Sequence, residues 1–118
     1  MNERLVSIIM AAYNAEAYIE QAMASALGQS HTEIELIVVN DGSTDGTAER
    51  IGRCTDTTLN GISQTNQGIR MARNAALQVA RGSYICFLDA DDVMPPYSVA
   101  VRLQVLLNDP GLSFADGT

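Results

Sequence analysis

The sequence has no tryptophan, a single histidine, two cysteines and three prolines, and nowhere a block of lysine and arginine. Each scarcity removes a class of function. With a net charge of −7 and no basic stripe, the surface does not suit a nucleic-acid backbone. Cys54 and Cys86 lack metal-ligand spacing, and His31 has no second histidine to pair with, so a soft-ligand metal centre is not expected. Both cysteines read as reduced thiols, with Cys86 a small core residue inside an apolar strand. No apolar run is long enough to span a bilayer, and the opening residues do not read as a secretory signal. The expected setting is the cytoplasm, a peripheral place at the inner face of a membrane being compatible with it. Gly-x-Gly-x-x-Gly is absent after the first strand, which argues against a dinucleotide-binding domain.

What is present is an ordinary apolar content over 118 residues, enough for one domain with a core. Apolar runs and helical periodicities alternate. Leu5 to Met10, Ile34 to Val39 and Tyr84 to Leu88 read as strands, with a weaker edge strand around Leu59 to Ser63. "NAEAYIEQAMASALGQ" carries Tyr18, Ile19, Ala22, Met23, Ala26 and Leu27 at helical spacing, with Asn14 as expected N-cap and Glu16 in the first turn. "DGSTDGTAERI" reads as a turn into a short helix capped by Ser43 or Thr44. Gly68 to Arg81 is helical through Ile69, Ala72, Ala76, Val79 and Ala80, with Gly82 as a C′ stop. Pro95 and Pro96 suit the first turn of a helix carrying Val99, Leu103 and Leu106, ended by Asp109-Pro110-Gly111. Leu112 to Ala115 is expected to begin another strand.

Strands alternating with helices imply an α/β fold: a mostly parallel sheet, helices on both faces, right-handed crossovers. The carboxyl ends of such strands share one edge, where ligands bind. Asp41, Asp45, Asp89, Asp91 and Asp92 would crowd that edge. A solvated helix-capping turn accounts for one aspartate more easily than for three in "YICFLDADDVMPP". Hard oxygen ligands suit Mg²⁺ or Mn²⁺, and a cation removes the repulsion among the acids. Residues i and i+2 of an extended segment face the same way, so Asp89 and Asp91 can serve one site. Mg²⁺ is commonly held by one or two carboxylates plus substrate phosphates, which points to a nucleotide or another phosphate ester.

"VSIIMAAYN", "IELIVVNDGSTDGT", "NQGIRMARNAAL" and "RGSYICFLDADD" resemble, in order and spacing, the motifs of family 2 glycosyltransferases. The resemblance runs from about Val6 to Pro96. It implies a Rossmann-like GT-A fold, here truncated, and inverting transfer of a sugar from a nucleotide-diphosphate sugar to an acceptor hydroxyl. Residues 1–118 would be the N-terminal, donor-binding part. The acceptor part and its carboxylate general base are expected beyond Thr118, so no catalytic base is assigned. The fragment alone is expected to be weak or inactive.

The resemblance also implies roles. Within Ala11 to Asn14, Tyr13 packs on the nucleobase, and Asp41 accepts a hydrogen bond from a base imide, favouring a UDP-sugar. Asp89-Ala90-Asp91 is the DxD motif, Asp89 lying near the ribose and Asp91 ligating the metal, with Asp92 an accessory. Arg73 serves either the donor phosphates or Asp89 itself. Gly68 and Asn74 shape the same wall, while Gly42 and Gly46 serve backbone geometry. The acceptor is unknown. Two departures stand out: Ala11 replaces the proline many relatives carry, and Asn40 replaces the first of two aspartates. Two alternatives stand beside this reading. One is a non-catalytic nucleotide-binding module. The other is a haloacid-dehalogenase-type phosphatase, whose opening motif "CFLDADDV" also fits. Exposed sheet edge and helix surface would favour self-association.

Overall fold

The structure, a computed structural model, describes residues 4–108. Strands β1 (Val6–Ala12), β2 (Ile34–Asp41), β3 (Leu59–Gln64) and β4 (Tyr84–Phe87) alternate with helices α1 (Ile19–Leu27), α2 (Thr47–Gly52), α3 (Ile69–Val79) and α4 (Ser98–Asn108). All strand pairs are parallel, in the order β3-β2-β1-β4. The expected α/β fold and the edge position of β3 are both met.

Strand β2 is buried along its whole length, since helices cover both sheet faces and leave no solvent side to alternate with. Side chains still alternate between two cores. Val6, Ile8, Met10, Leu36 and Val38 pack with Ile19, Ala22, Met23 and Ala26 of α1 and with Val99 of α4. Ile9, Ile37 and Val39 pack against Ala72 and Ala76 of α3, where two small residues let the helix lie close to the sheet. Cys86 belongs to the α1-side core, and Leu103 and Leu106 of α4 are buried as expected.

Several local expectations are corrected. Asn14 does not cap α1: it lies in the left-handed region at φ 49°, and its Oδ1 accepts from the Thr44 N–H at 2.8 Å. Helix α1 begins later, at Ile19, after a turn in which the Ala15 carbonyl accepts from the Tyr18 and Ile19 N–H groups. Glu16 serves the other helix, its Oε1 accepting from the N–H of Gly46, which precedes α2. Neither Ser43 nor Thr44 caps α2; Asp45 Oδ1 accepts from the Thr47 N–H at 2.9 Å instead. Tyr18, Ile69 and Val79 are exposed, because the apolar face of each helix is narrower than the sequence periodicity suggests. Gly82 is not a left-handed C′ residue, for α3 ends in extended backbone at Ala80. A Cβ at Gly82 would lie 2.6 Å from the Ser7 nitrogen, so close approach to β1 is what requires glycine. Pro95 and Pro96 precede α4, with the Pro95 carbonyl accepting from the Ser98 N–H. The turn at 109–111 and the strand expected over 112–115 lie outside the described residues.

Candidate functional site

The strand order places the site. From β1 the chain moves outward through α1 to β2 and through α2 to β3. It then returns through α3 to β4 on the far side of β1. The strand order thus reverses at β1, which lies between β2 and β4, and the carboxyl ends of the parallel strands share one edge, where ligands bind. A cleft of about 460 Å³ lies at this edge, lined by Ala11–Ala15 at and beyond the end of β1, Asp41 at the end of β2, and Asp89, Ala90 and Asp91 after β4. Tyr18 and Ile69 complete its walls.

Of the residues singled out in the sequence, Ala11, Tyr13, Asn14, Asp41, Asp89, Ala90 and Asp91 meet in this one cleft. Tyr13 stands 53% exposed on its rim. Gly68, Arg73 and Asn74 do not line it. Gly68 acts through its backbone N–H, Arg73 reaches the site through Asp89, and Asn74 is an exposed residue of α3. Asp45 and Asp92 are also drawn elsewhere, Asp45 to the α2 terminus and Asp92 to the adjacent Val93 N–H.

Asp41 is the most enclosed acid among the described residues, only 3% exposed. Its Oδ1 accepts from Gln64 Nε2 and from the Gln67 N–H, both at 2.9 Å. Its Oδ2 accepts from the Gly68 N–H at 2.9 Å and from Asn66 Nδ2 at 3.2 Å. Burial pushes the carboxyl pKa up, but the hydrogen bonds from Gln64, Gln67 and Gly68 outweigh it, and the pKa falls below the ordinary aspartate value. These contacts fill the roughly four acceptor positions of a carboxylate. They also put negative charge at the N-terminus of α3, whose own N-cap, Gly68, has no side chain to offer. A base imide arriving at Asp41 would share an oxygen with the Gln64 or Asn66 amide.

Arg73 Nη2 lies 3.7 Å from Asp89 Oδ1, and its guanidinium carbon sits 4.7 Å from the Phe87 ring centre. The ring and the carboxylate together hold one flat cation. Asp89 is thereby braced, while Asp91 is exposed. Among the described residues no three His, Cys, Asp or Glu side chains gather closely enough to cage a metal by themselves. Two aspartates on one cleft wall instead fit a cation that takes its remaining ligands from substrate phosphates.

Tyr18, counted in the sequence among the residues at helical spacing, stands 56% exposed at the cleft with Ile69. Gln64 is not among the residues singled out in the sequence, and Asn66, which opens the block "NQGIRMARNAAL", has no role of its own there. Their amides matter because the β3–α3 loop folds back on Asp41 across more than 20 residues of sequence.

Comparison with known proteins agrees with this geometry. Residues 7–116 match the Glycosyl transferase family 2 domain. An uncharacterized glycosyltransferase of Haemophilus influenzae is 43% identical over 112 residues, an alignment spanning 92% of this chain and 45% of the relative. A crystal structure of S. aureus TarS 1-349 in complex with UDP-GlcNAc superposes with a TM-score of 0.78 at 30% identity, covering 87% of this chain and 31% of that 1-349 chain. The mannosyltransferase PcManGT from Pyrobaculum calidifontis, in complex with GDP-Man and Mn²⁺, gives 0.80 at 29% identity, covering 91% and 33%. The chain thus spans less than half the length of the H. influenzae relative and about a third of each solved structure. A four-stranded parallel sheet that superposes on part of the GT-A fold, and a family match that covers nearly all of this chain, lead to one conclusion: this chain belongs to glycosyl transferase family 2.

Proposed function

We propose that this chain is the donor- and metal-binding part of an inverting glycosyltransferase that uses a nucleotide-diphosphate sugar, a UDP-sugar by preference. The observation that carries the reading is the convergence of Tyr13, Asp41, Asp89 and Asp91 on one cleft at the carboxyl ends of the strands. Tyr13 supplies a flat face for a nucleobase, and Ile69 and Tyr18 add apolar surface beside it. Asp41 would accept from a base imide, sharing an oxygen with the Gln64 or Asn66 amide, which favours pyrimidines with an N3 hydrogen over cytosine. Asp89 would serve the ribose, and Asp91, the less encumbered acid, would hold Mg²⁺ or Mn²⁺ on the diphosphate. Such a cation, when bound, offsets the charge that grows on the departing diphosphate. TarS in complex with UDP-GlcNAc and PcManGT in complex with GDP-Man and Mn²⁺ support this reading. No general base is assigned among the described residues, so acceptor deprotonation is not attributed to this chain.

The test is calorimetric titration of UDP with and without Mn²⁺. Binding should be metal-dependent, and Asp91→Ala should remove that dependence while leaving the metal-free component. Equal UDP affinity with and without Mn²⁺ in the wild type would refute the metal assignment. No binding at millimolar UDP, GDP or dTDP would refute the donor site.

A further inference from the structure

The acidic loop is anchored at both ends, and one anchor lies outside the cleft. At its start the Leu88 N–H donates to the Ile9 carbonyl of β1 at 2.9 Å. At its end the Met94 N–H donates to Ser25 Oγ of α1 at 3.0 Å. Gln29, only 5% exposed just past α1, has its whole amide engaged, mostly on the same segment. Its Nε2 donates to the Pro95 carbonyl at 2.8 Å and to its own helix at the Ser25 carbonyl, while its Oε1 accepts from the Val99 N–H in the first turn of α4. The Ser30 N–H donates to the Pro96 carbonyl at 2.7 Å. Between the anchors only a short span is left, Asp89 to Val93, stiffened by the Asp92 N–H donating to the Asp89 carbonyl.

We infer that Ser25 and Gln29 are positioning residues for the acidic loop, holding Asp89 and Asp91 in register with the cleft from behind. The physical reason lies in the proline pair. Pro95 and Pro96 have no N–H to donate, so only their carbonyls can tie this stretch down. The end of α1 supplies the donors those carbonyls need. A buried primary amide with donors and acceptor all satisfied is costly to replace, which suits it to a fixed joint. A mobile pair of aspartates would have to be ordered each time a diphosphate bound, and the joint removes that cost beforehand. The inference rests on the donor-site reading for its functional consequence, not for its structural content.

The experiment compares wild type, Ser25→Ala and Gln29→Leu in the full chain, by amide hydrogen exchange and by UDP titration with and without Mn²⁺. Faster exchange is expected at Met94 and Val99, whose acceptors are removed, and also at Asp92, whose bond lies inside the loop. Leu88 and the β1 and β2 amides should keep their protection. The Mn²⁺-dependent part of UDP affinity should fall about three- to tenfold, with metal-free affinity unchanged. Unchanged Asp92 protection in both variants would overturn the proposal, as would a proportional loss of metal-dependent and metal-free affinity. If Gln29→Leu loosens the whole sheet, Ser25→Ala, the smaller change, decides. If wild type shows no Mn²⁺ dependence, the metal assignment fails, and the Asp92 exchange still decides whether the joint exists.

Discussion

Arg73 lies between the Phe87 ring and Asp89, 4.7 Å from the ring centre and 3.7 Å from the carboxylate. Lysine at this position keeps the charge and loses the flat contact. A part-exposed cation–π contact contributes about 0.5–1 kcal/mol. Arg73→Lys should therefore weaken Mn²⁺-dependent UDP binding by a few-fold, and Arg73→Ala by more, since Asp89 then loses its brace. Full affinity in Arg73→Lys would show that charge alone matters there.

Asp41 ties the end of β2 to the start of α3. Asp41→Asn cannot accept from all the present donors and would set its own amide hydrogens against some of them. A loss of about 1.5–3 kcal/mol of stability is expected, readable by urea denaturation. The pH dependence follows from the lowered pKa of the folded carboxyl. Its contribution is complete above the unfolded aspartate value of about 3.9 and is lost as pH falls from there through the folded value. Wild type should thus lose stability below about pH 4 more steeply than Asp41→Asn. Parallel curves for the two would remove Asp41 as the source.

Two tyrosines flank the cleft, and they should differ. Tyr13→Ala should cost about 1–3 kcal/mol of UDP affinity, the usual worth of an aromatic platform under a base, whereas Tyr13→Phe retains it. Tyr18→Ala should cost less, through lost apolar contact at the rim. Comparing uridine with UDP separates base contact from phosphate contact, since a base platform weakens both ligands equally. A Tyr13→Ala deficit seen with UDP but not with uridine would argue against stacking.

Gly82 crosses β1 so closely that a Cβ would lie 2.5 Å from Ser7 Oγ and 2.9 Å from the Leu5 carbonyl. Gly82→Ala must push the α3–β4 connection outward. A destabilisation of about 1–3 kcal/mol is expected, as for other overpacked interiors. Thermal unfolding reads it directly, and an unchanged midpoint would mean the connection yields freely.

What the residues alone determined is largely what local chemistry can carry. Alternating apolar runs and helical periodicities are short-range signals, and they specify the strands, the helices and a parallel sheet. The motif blocks placed Tyr13, Asp41, Asp89 and Asp91 correctly at strand ends, because strand ends in such a sheet converge. The caps were another matter. Asn14 and Glu16 carry every local mark of an α1 start, yet both bond to the loop after β2, about 30 residues away. Gly82 looks like a helix stop and is in fact a crossing point. Asp41 reads, by resemblance, as the acceptor for a base imide, yet the returning β3–α3 segment already occupies its oxygens. In each case a polar group had a near partner and a distant one, and packing of the sheet brought the distant one within reach. Which partner wins depends on where the chain returns, and only the tertiary structure decides that.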